Sequence, residues 1–297
     1  MVNVRTTTLA GEIFSKTPQL RETAQQTHAY EALSARKRDV NVDGAAYAVL
    51  EGDLLYDDDE LSLYALQQAS REEGGIISPM AQTPLEPAPA LVGISAGNRI
   101  IRWAPGKVLG YAVNRDSFPS QQHYDAVREA IASAAEAWEG TCGIAFNHFS
   151  QHDQHPDPST TPSEIDPSLV FVVRYIDADG QFIAAAFFPT YPPKRRRVLI
   201  DPSYFADDLG FDPVGVLRHE LGHVLGFRHE HIRSGAPALC PQEQTTDVVD
   251  LTAYDPQSVM HYFCGGVGSR DLKITDLDRQ GAQKLYGPPL SSLQLVE

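Results

Sequence analysis

Apolar and polar positions divide the chain into two unlike stretches. In the first, helical patterns run over about Gln19–Arg38 and Glu60–Glu72, and one apolar run, Ala45–Leu50, ends in Glu51-Gly52-Asp53. Ser78–Gly97 is rich in proline and nearly free of charge, the composition of an extended connector. Beyond it strand and helix signals alternate: Val108–Val113 reads as a strand, Gln121–Trp138 as an amphipathic helix and Leu169–Tyr175 as a buried strand. Gln181–Phe188 and Arg197–Ile200 read as two more strands, completing an α/β pattern. After Gly226 the signals weaken into loops until Asp276–Tyr286, which reads as a closing helix. No internal repeat is present.

Composition narrows the function classes. With 297 residues, 42% hydrophobic and 21% charged, the chain can bury a sizeable core, and it has no apolar run of the roughly 18 residues that a membrane helix needs. A formal charge of −15 argues against nucleic acid and anionic lipid as partners, because both require a basic face. The basic cluster Lys194–Arg197 reads as a solvated strand end in preference to a contact for an acidic partner, and Asp57–Glu60 reads as a solvated acidic stretch. Met1–Leu20 lacks the apolar core of a secretory signal, so either a leader has been removed or export uses none. Three cysteines, Cys142, Cys240 and Cys264, allow one bridge plus one free thiol.

The chemistry concentrates in Phe211–Glu230. Asp212 can cap a helix, Pro213 suits its first turn, and Gly226 stands where a left-handed terminating residue belongs. His219 and His223, four apart, fall on one face of that helix, and after the glycine His229 can swing back to the same point. Three imidazoles leave one position of a zinc ion open, the pattern of a catalytic rather than a closed structural site. Glu220 stands between the helical ligands as the general base for a water.

The pattern H-E-x-x-H-x-x-G-x-x-H resembles that of the metzincin metallopeptidases, and Phe227 and Glu230 match the astacin-type form of it. Ser258-Val259-Met260-His261-Tyr262 is similar to the astacin Met-turn. The resemblance implies Met260 as an apolar floor under the metal and Tyr262 as a switchable zinc ligand that steadies the oxyanion. It also implies an α+β catalytic domain: a twisted, mostly parallel sheet with an antiparallel edge strand, an active-site helix and a loop-rich C-terminal part. Asp177–Pro189 looks more like the matrixin segment that forms the edge strand, with alanine where matrixins have a second zinc-binding histidine, so one zinc is expected. Asp177 and Asp179 with Gly180 form a plain turn by preference, with calcium as the alternative. His148, His152 and His155 read as residues of a surface loop. Cys240 and Cys264 flank the loop leading to the Met-turn; a bridge there would contribute about 3 kcal/mol in the chain-entropy picture and leave Cys142 as a buried free thiol.

Glu51-Gly52-Asp53 resembles the short element of astacin propeptides whose aspartate takes the water's place on zinc. The expected organisation is an irregular or helical inhibitory pro-segment over 1–80, a connector with the activation region over 81–98, and the catalytic domain over 99–297. The expected protein is a secreted, monomeric, zinc-dependent endopeptidase acting on proteins or peptides, with its own pro-segment as intramolecular inhibitor. The rivals are a noncatalytic zinc-binding protein, which would have no use for Glu220, and a first segment that targets substrates rather than inhibiting.

Overall fold

The computed structural model describes residues 8–50, 52–72, 91–96, 99–104, 106–154, 160–233, 236–240 and 248–290. Most of the expected connector, together with Glu51 and His155, lies outside them.

The first stretch contains α1 (Leu9–Lys16), α2 (Pro18–Gln25), α3 (His28–Arg36), β1 (Arg38–Val42), β2 (Ala45–Leu50), β3 (Leu54–Tyr56) and α4 (Asp58–Glu72). The single helix expected over Gln19–Arg38 is two, because Thr27 accepts from the Tyr30 amide and starts a new one. The segment is also more ordered than an irregular or helical one, since β1, β2 and β3 form an antiparallel sheet. Val40 and Val42 alternate inward, and Asp43-Gly44, with φ of 54° and 82°, closes the two-residue hairpin. An Asp-Gly pair between strands is the signal that marked it.

The second stretch runs through β4 (Val92–Ala96), β5 (Arg99–Ile101), β6 (Val108–Val113), α5 (Gln121–Glu139), β7 (Ala145–His148), α6 (Pro162–Ile165), β8 (Leu169–Tyr175), β9 (Ala184–Ala185) and β10 (Arg197–Ile200). It ends with α7 (Pro213–Val224), β11 (Phe227–Arg228), β12 (Val248–Asp250) and α8 (Asp276–Tyr286). The main sheet has the order β7-β6-β8-β10-β9, parallel except for the antiparallel edge β9. That edge is shorter than Gln181–Phe188, for only Ala184–Ala185 pairs with β10. Val92–Ala96, read as connector, is instead a strand pairing with β5, β11 and β12. α5 packs on α7 with Trp138 stacked on Phe227, and Trp138 Nε1 donates to the Arg218 carbonyl at 2.8 Å.

The two stretches meet along β9. Leu54 bridges Ala186 in parallel, and Asp43 at the hairpin tip pairs with Arg174 of β8 and Arg197 of β10. Arg195 pairs with Asp57 and Glu60. The basic run and the acidic stretch, each read as solvated, are thus partners. Charge runs read singly look like solvent-facing surface, because nothing in either run reports the other.

Candidate metal centre and active site

Local chemistry sets the helix that carries the site. Asp212 accepts from the Gly215 amide at 2.9 Å, Pro213 occupies the first turn, and Gly226 ends the run with φ of 94°. The carbonyls of Val224 and Leu225, which the helix leaves unpaired, accept from Trp103 Nε1 (2.7 Å) and Tyr286 Oη (2.6 Å). His219 and His223 lie one turn apart with ring centroids at 4.9 Å. β11 then turns the chain so that His229 Nε2 comes to 3.1 Å from His223 Nε2.

A fourth group completes the cluster. Asp53 Oδ2, from the loop before β3, lies 3.3 Å from His219 Nε2, 3.6 Å from His223 Nε2 and 3.2 Å from His229 Nε2. Donor atoms about 2.0–2.2 Å from a tetrahedral zinc ion stand roughly 3.3–3.6 Å from one another, close to the 3.1–3.6 Å found. His219 Nδ1 faces the Val259 carbonyl at 2.7 Å and His223 Nδ1 the Phe227 carbonyl at 2.8 Å. Those bonds place the protons on Nδ1 and turn the Nε2 lone pairs of these two rings inward. His219 Nε2 and Asp53 Oδ1 are buried without a hydrogen-bond partner, so the donor set fits a divalent cation.

The electrostatics agree with ligand roles. Burial, before the charges around it, lowers His223 to about 4, leaving it neutral at pH 7 as a metal ligand must be. Burial opposes ionisation of Asp53, but the surrounding imidazoles outweigh it and hold the carboxyl well below the usual range. Glu220 is pushed well above that range, first by burial and then by the Asp53 charge. Its Oε2 is buried with no hydrogen-bond partner, as for a base whose proton donor comes from outside the chain.

Met260 is fully buried under α7. A Cβ on Gly222 would overlap its Sδ and stand 3.1 Å from its Cε. Gly222→Ala is therefore expected to cost about 1–3 kcal/mol of stability and to loosen zinc, checked by thermal unfolding and metal content. An unchanged Tm would mean that Met260 has room to swing. Tyr262 tilts over His229 at 4.1 Å between centroids, and a Cβ on Gly52 would come within 2.8 Å of its hydroxyl. Glu230 sits beneath, fully buried, with Oε1 accepting from Arg233 Nη1 at 3.1 Å and the Asp255 amide at 3.0 Å; burial pushes it up to about 8 against those bonds.

Sequence reasoning missed Asp278. Its carboxylate accepts from Ser258 Oγ and, at 2.8 Å, from the Val259 amide, so α8 holds the turn whose Val259 carbonyl orients His219. The only local signal is the capping box formed by Thr275 and Asp278.

A cavity of about 390 Å³ opens beside Glu220, lined by Ala184, Val216, Leu272, Phe182, Phe211 and the Tyr262–Cys264 segment. Cys240 and Cys264 form a disulfide at its rim. Cys142 is a buried free thiol that burial pushes up to about 12. The Asp177–Gly180 loop is closed by protein groups: Asp177 Oδ1 accepts from the Asp179 amide, and Asp201 Oδ2 from those of Ala178 and Gly180. Nothing there supports calcium. His148 pairs with Asp153 and His152 with Asp166, so these two brace the structure; neither joins the metal cluster. No helix among the described residues is long and apolar enough to cross a membrane.

The family model described as Matrixin matches residues 102–255, ending just before the Met260 turn. Human matrix metalloproteinase-16 is 24% identical over 176 residues, covering 54% of this chain and 24% of that protein. Human stromelysin-3 is 28% identical over 238 residues, covering 76% of this chain and 40% of that protein. The chain thus spans between a quarter and two fifths of the length of these relatives. Among solved structures, "Structure of myroilysin" aligns at a TM-score of 0.43 and 20% identity, over 62% of this chain and 95% of that one. A hatching-enzyme zinc-protease of Oryzias latipes aligns at 0.36 and 16%, over 63% and 94%. The match over just over half of the sequence takes in the helix bearing His219, Glu220 and His223, and with it the chain belongs to the matrixin family of zinc metallopeptidases.

Proposed function

We propose that this chain is a secreted, monomeric, zinc-dependent endopeptidase kept latent by its first 80 residues, with the activation region in the connector over 81–98, ahead of the strand at Val92. The observation that carries the reading is the convergence of three imidazole Nε2 atoms and one carboxylate oxygen beside a buried glutamate with one unpartnered oxygen. His219, His223 and His229 would hold the zinc, which when bound polarises a scissile carbonyl and acidifies water. Glu220 takes the proton of the attacking water on its carboxylate and returns it to the leaving amine. Tyr262, tilted over His229, offers its hydroxyl to the developing oxyanion. The apolar cavity receives a substrate side chain. In the latent chain, Asp53 fills the position water needs, and Gly52 rests against the Tyr262 hydroxyl.

Metal content and chelation test the reading. The purified chain is expected to carry about one zinc per molecule. After cleavage in the connector it should digest an unstructured protein, stop when a chelator removes the metal, and resume when zinc is returned. Full activity in a metal-free protein would sink the mechanism, and a zinc-replete, connector-cleaved chain that cuts no protein would favour a noncatalytic zinc-binding role.

A further inference from the structure

The pro-segment traces the cleft past the metal. From Asp53 the chain leads to Leu54, bridged to Ala186, and then to Leu55, whose carbonyl accepts from Tyr191 Oη (3.2 Å) and Arg195 Nη2 (2.6 Å). Two residues on, Arg195 Nη1 donates to Asp57 Oδ2 (3.0 Å) and to Glu60 Oε2 (2.6 Å). The apolar cavity lies at the other end, around Gly180–Ala184. The metal therefore has an apolar pocket on one side and an arginine on the other.

That arginine belongs to a built site. Its guanidinium lies 4.4 Å from the centre of the Tyr191 ring, and its backbone is set by a 3-10 turn after two prolines, with the Arg195 amide donating to the Pro192 carbonyl at 2.9 Å. Arg196 Nε donates to the Tyr191 carbonyl at 2.9 Å and its guanidinium lies over Trp103. The turn and the tyrosine are thus fixed by the second half of the chain. Both carboxylates on Arg195, and the Leu55 carbonyl, come from the pro-segment. When that segment leaves, a positioned fork of N–H donors is left facing the cleft without its anions.

We propose that Arg195, seated on Tyr191, forms a subsite for an acidic side chain at the end of the cleft away from the apolar cavity, so that preferred substrates carry aspartate or glutamate about four residues from the scissile bond on that side. The spacing follows from the pro-segment itself. Asp57 lies four positions beyond Asp53, about 13 Å along an extended chain. The Leu55 carbonyl shows how the same arginine takes a peptide backbone oxygen as well, one bond for positioning and one for selection. This rests on the endopeptidase reading above and adds a substrate class to it.

The test uses the full chain activated by cleavage within residues 81–90 and a set of matched fluorogenic peptides, each with glutamate or glutamine three, four or five positions from the bond on that side. The glutamate form is expected to show kcat/KM about tenfold or more higher at one of these positions, the size of a charge-assisted contact. Arg195→Gln should abolish the difference, lowering kcat/KM on the glutamate peptide about tenfold or more beyond whatever the lost backbone contact costs both peptides, and Arg195→Lys should keep part of it because the charge stays and the fork does not. The unaltered enzyme supplies a measurement independent of any variant: raising salt to about 1 M should collapse the glutamate-to-glutamine ratio. Equal rates on both peptides at every position, or a preference that survives Arg195→Gln or high salt, overturns the subsite and leaves the peptidase standing. Failure to cut either peptide, with zinc present, overturns the peptidase reading and the subsite with it.

Discussion

Glu220→Ala is expected to retain zinc and to lose about two to four orders of magnitude of peptidase rate, the usual contribution of a positioned general base. The separation of the two effects follows from where the atoms are. The atoms proposed to hold the metal are Nε2 of three histidines, two of them held by bonds from Nδ1 to the Val259 and Phe227 carbonyls, and Glu220 takes part in none of these bonds. Its loss therefore leaves the donors where they are. The carboxyl is fully buried, with one oxygen unpartnered, so alanine removes a group that is costly to bury and the fold should be no less stable. Glu220→Gln, which keeps the shape and removes the basic oxygen, should lose comparable rate; the readouts are metal content, thermal unfolding and initial rate on the connector-cleaved chain. A variant that keeps its zinc and works at the parent rate would remove Glu220 from the mechanism.

Asp53→Ala is expected to raise the activity of the uncleaved chain by roughly tenfold or more, because tethering makes a weak ligand an effective one and its removal gives the position back to water. The change is selective because the first stretch has other anchors: Asp43 on Arg174 and Arg197, Asp57 and Glu60 on Arg195, and Leu54 along Ala186. These slow its release without preventing it, so the gain should stay below that of connector cleavage, and self-cleavage between Arg71 and Arg99 is a second expected sign. Asp53→Asn, isosteric and uncharged, separates charge from bulk. Should both variants stay as silent as the parent while cleavage in the connector activates, obstruction by the segment accounts for latency and the aspartate is only a neighbour of the metal. The experiment also dissects Tyr262, since Gly52 would still lie against its hydroxyl in the variant. Activity that appears only when Gly52 is displaced as well would place the tyrosine among the groups the pro-segment restrains.

The parts of this molecule legible in the chain are those whose physics is local. A cap, a proline and a glycine with positive φ delimit α7, and a four-residue spacing puts two imidazoles on one face of it, because both facts depend only on the geometry of a helical turn. The Asp43-Gly44 turn is equally local, an Asp-Gly pair with positive φ at both positions ahead of the apolar run Ala45–Leu50. What lay beyond reach were contacts with no characteristic spacing. Asp53 meets His229 across 176 positions, a contact legible only through the resemblance of Glu51-Gly52-Asp53 to astacin propeptides, and Arg195 meets Asp57 across 138, legible through nothing; neither separation carries any periodic or propensity signal. An ion pair is written in the sequence only as two charge runs, each of which looks like solvated surface until the chain brings them together. The same holds for Asp278, which a capping pattern places at the start of α8 and which only packing turns toward the Val259 turn. Helix and turn chemistry is decided within a few residues of backbone. Which carboxylate lies on which histidine or arginine is decided by the long-range folding of two stretches onto one edge strand.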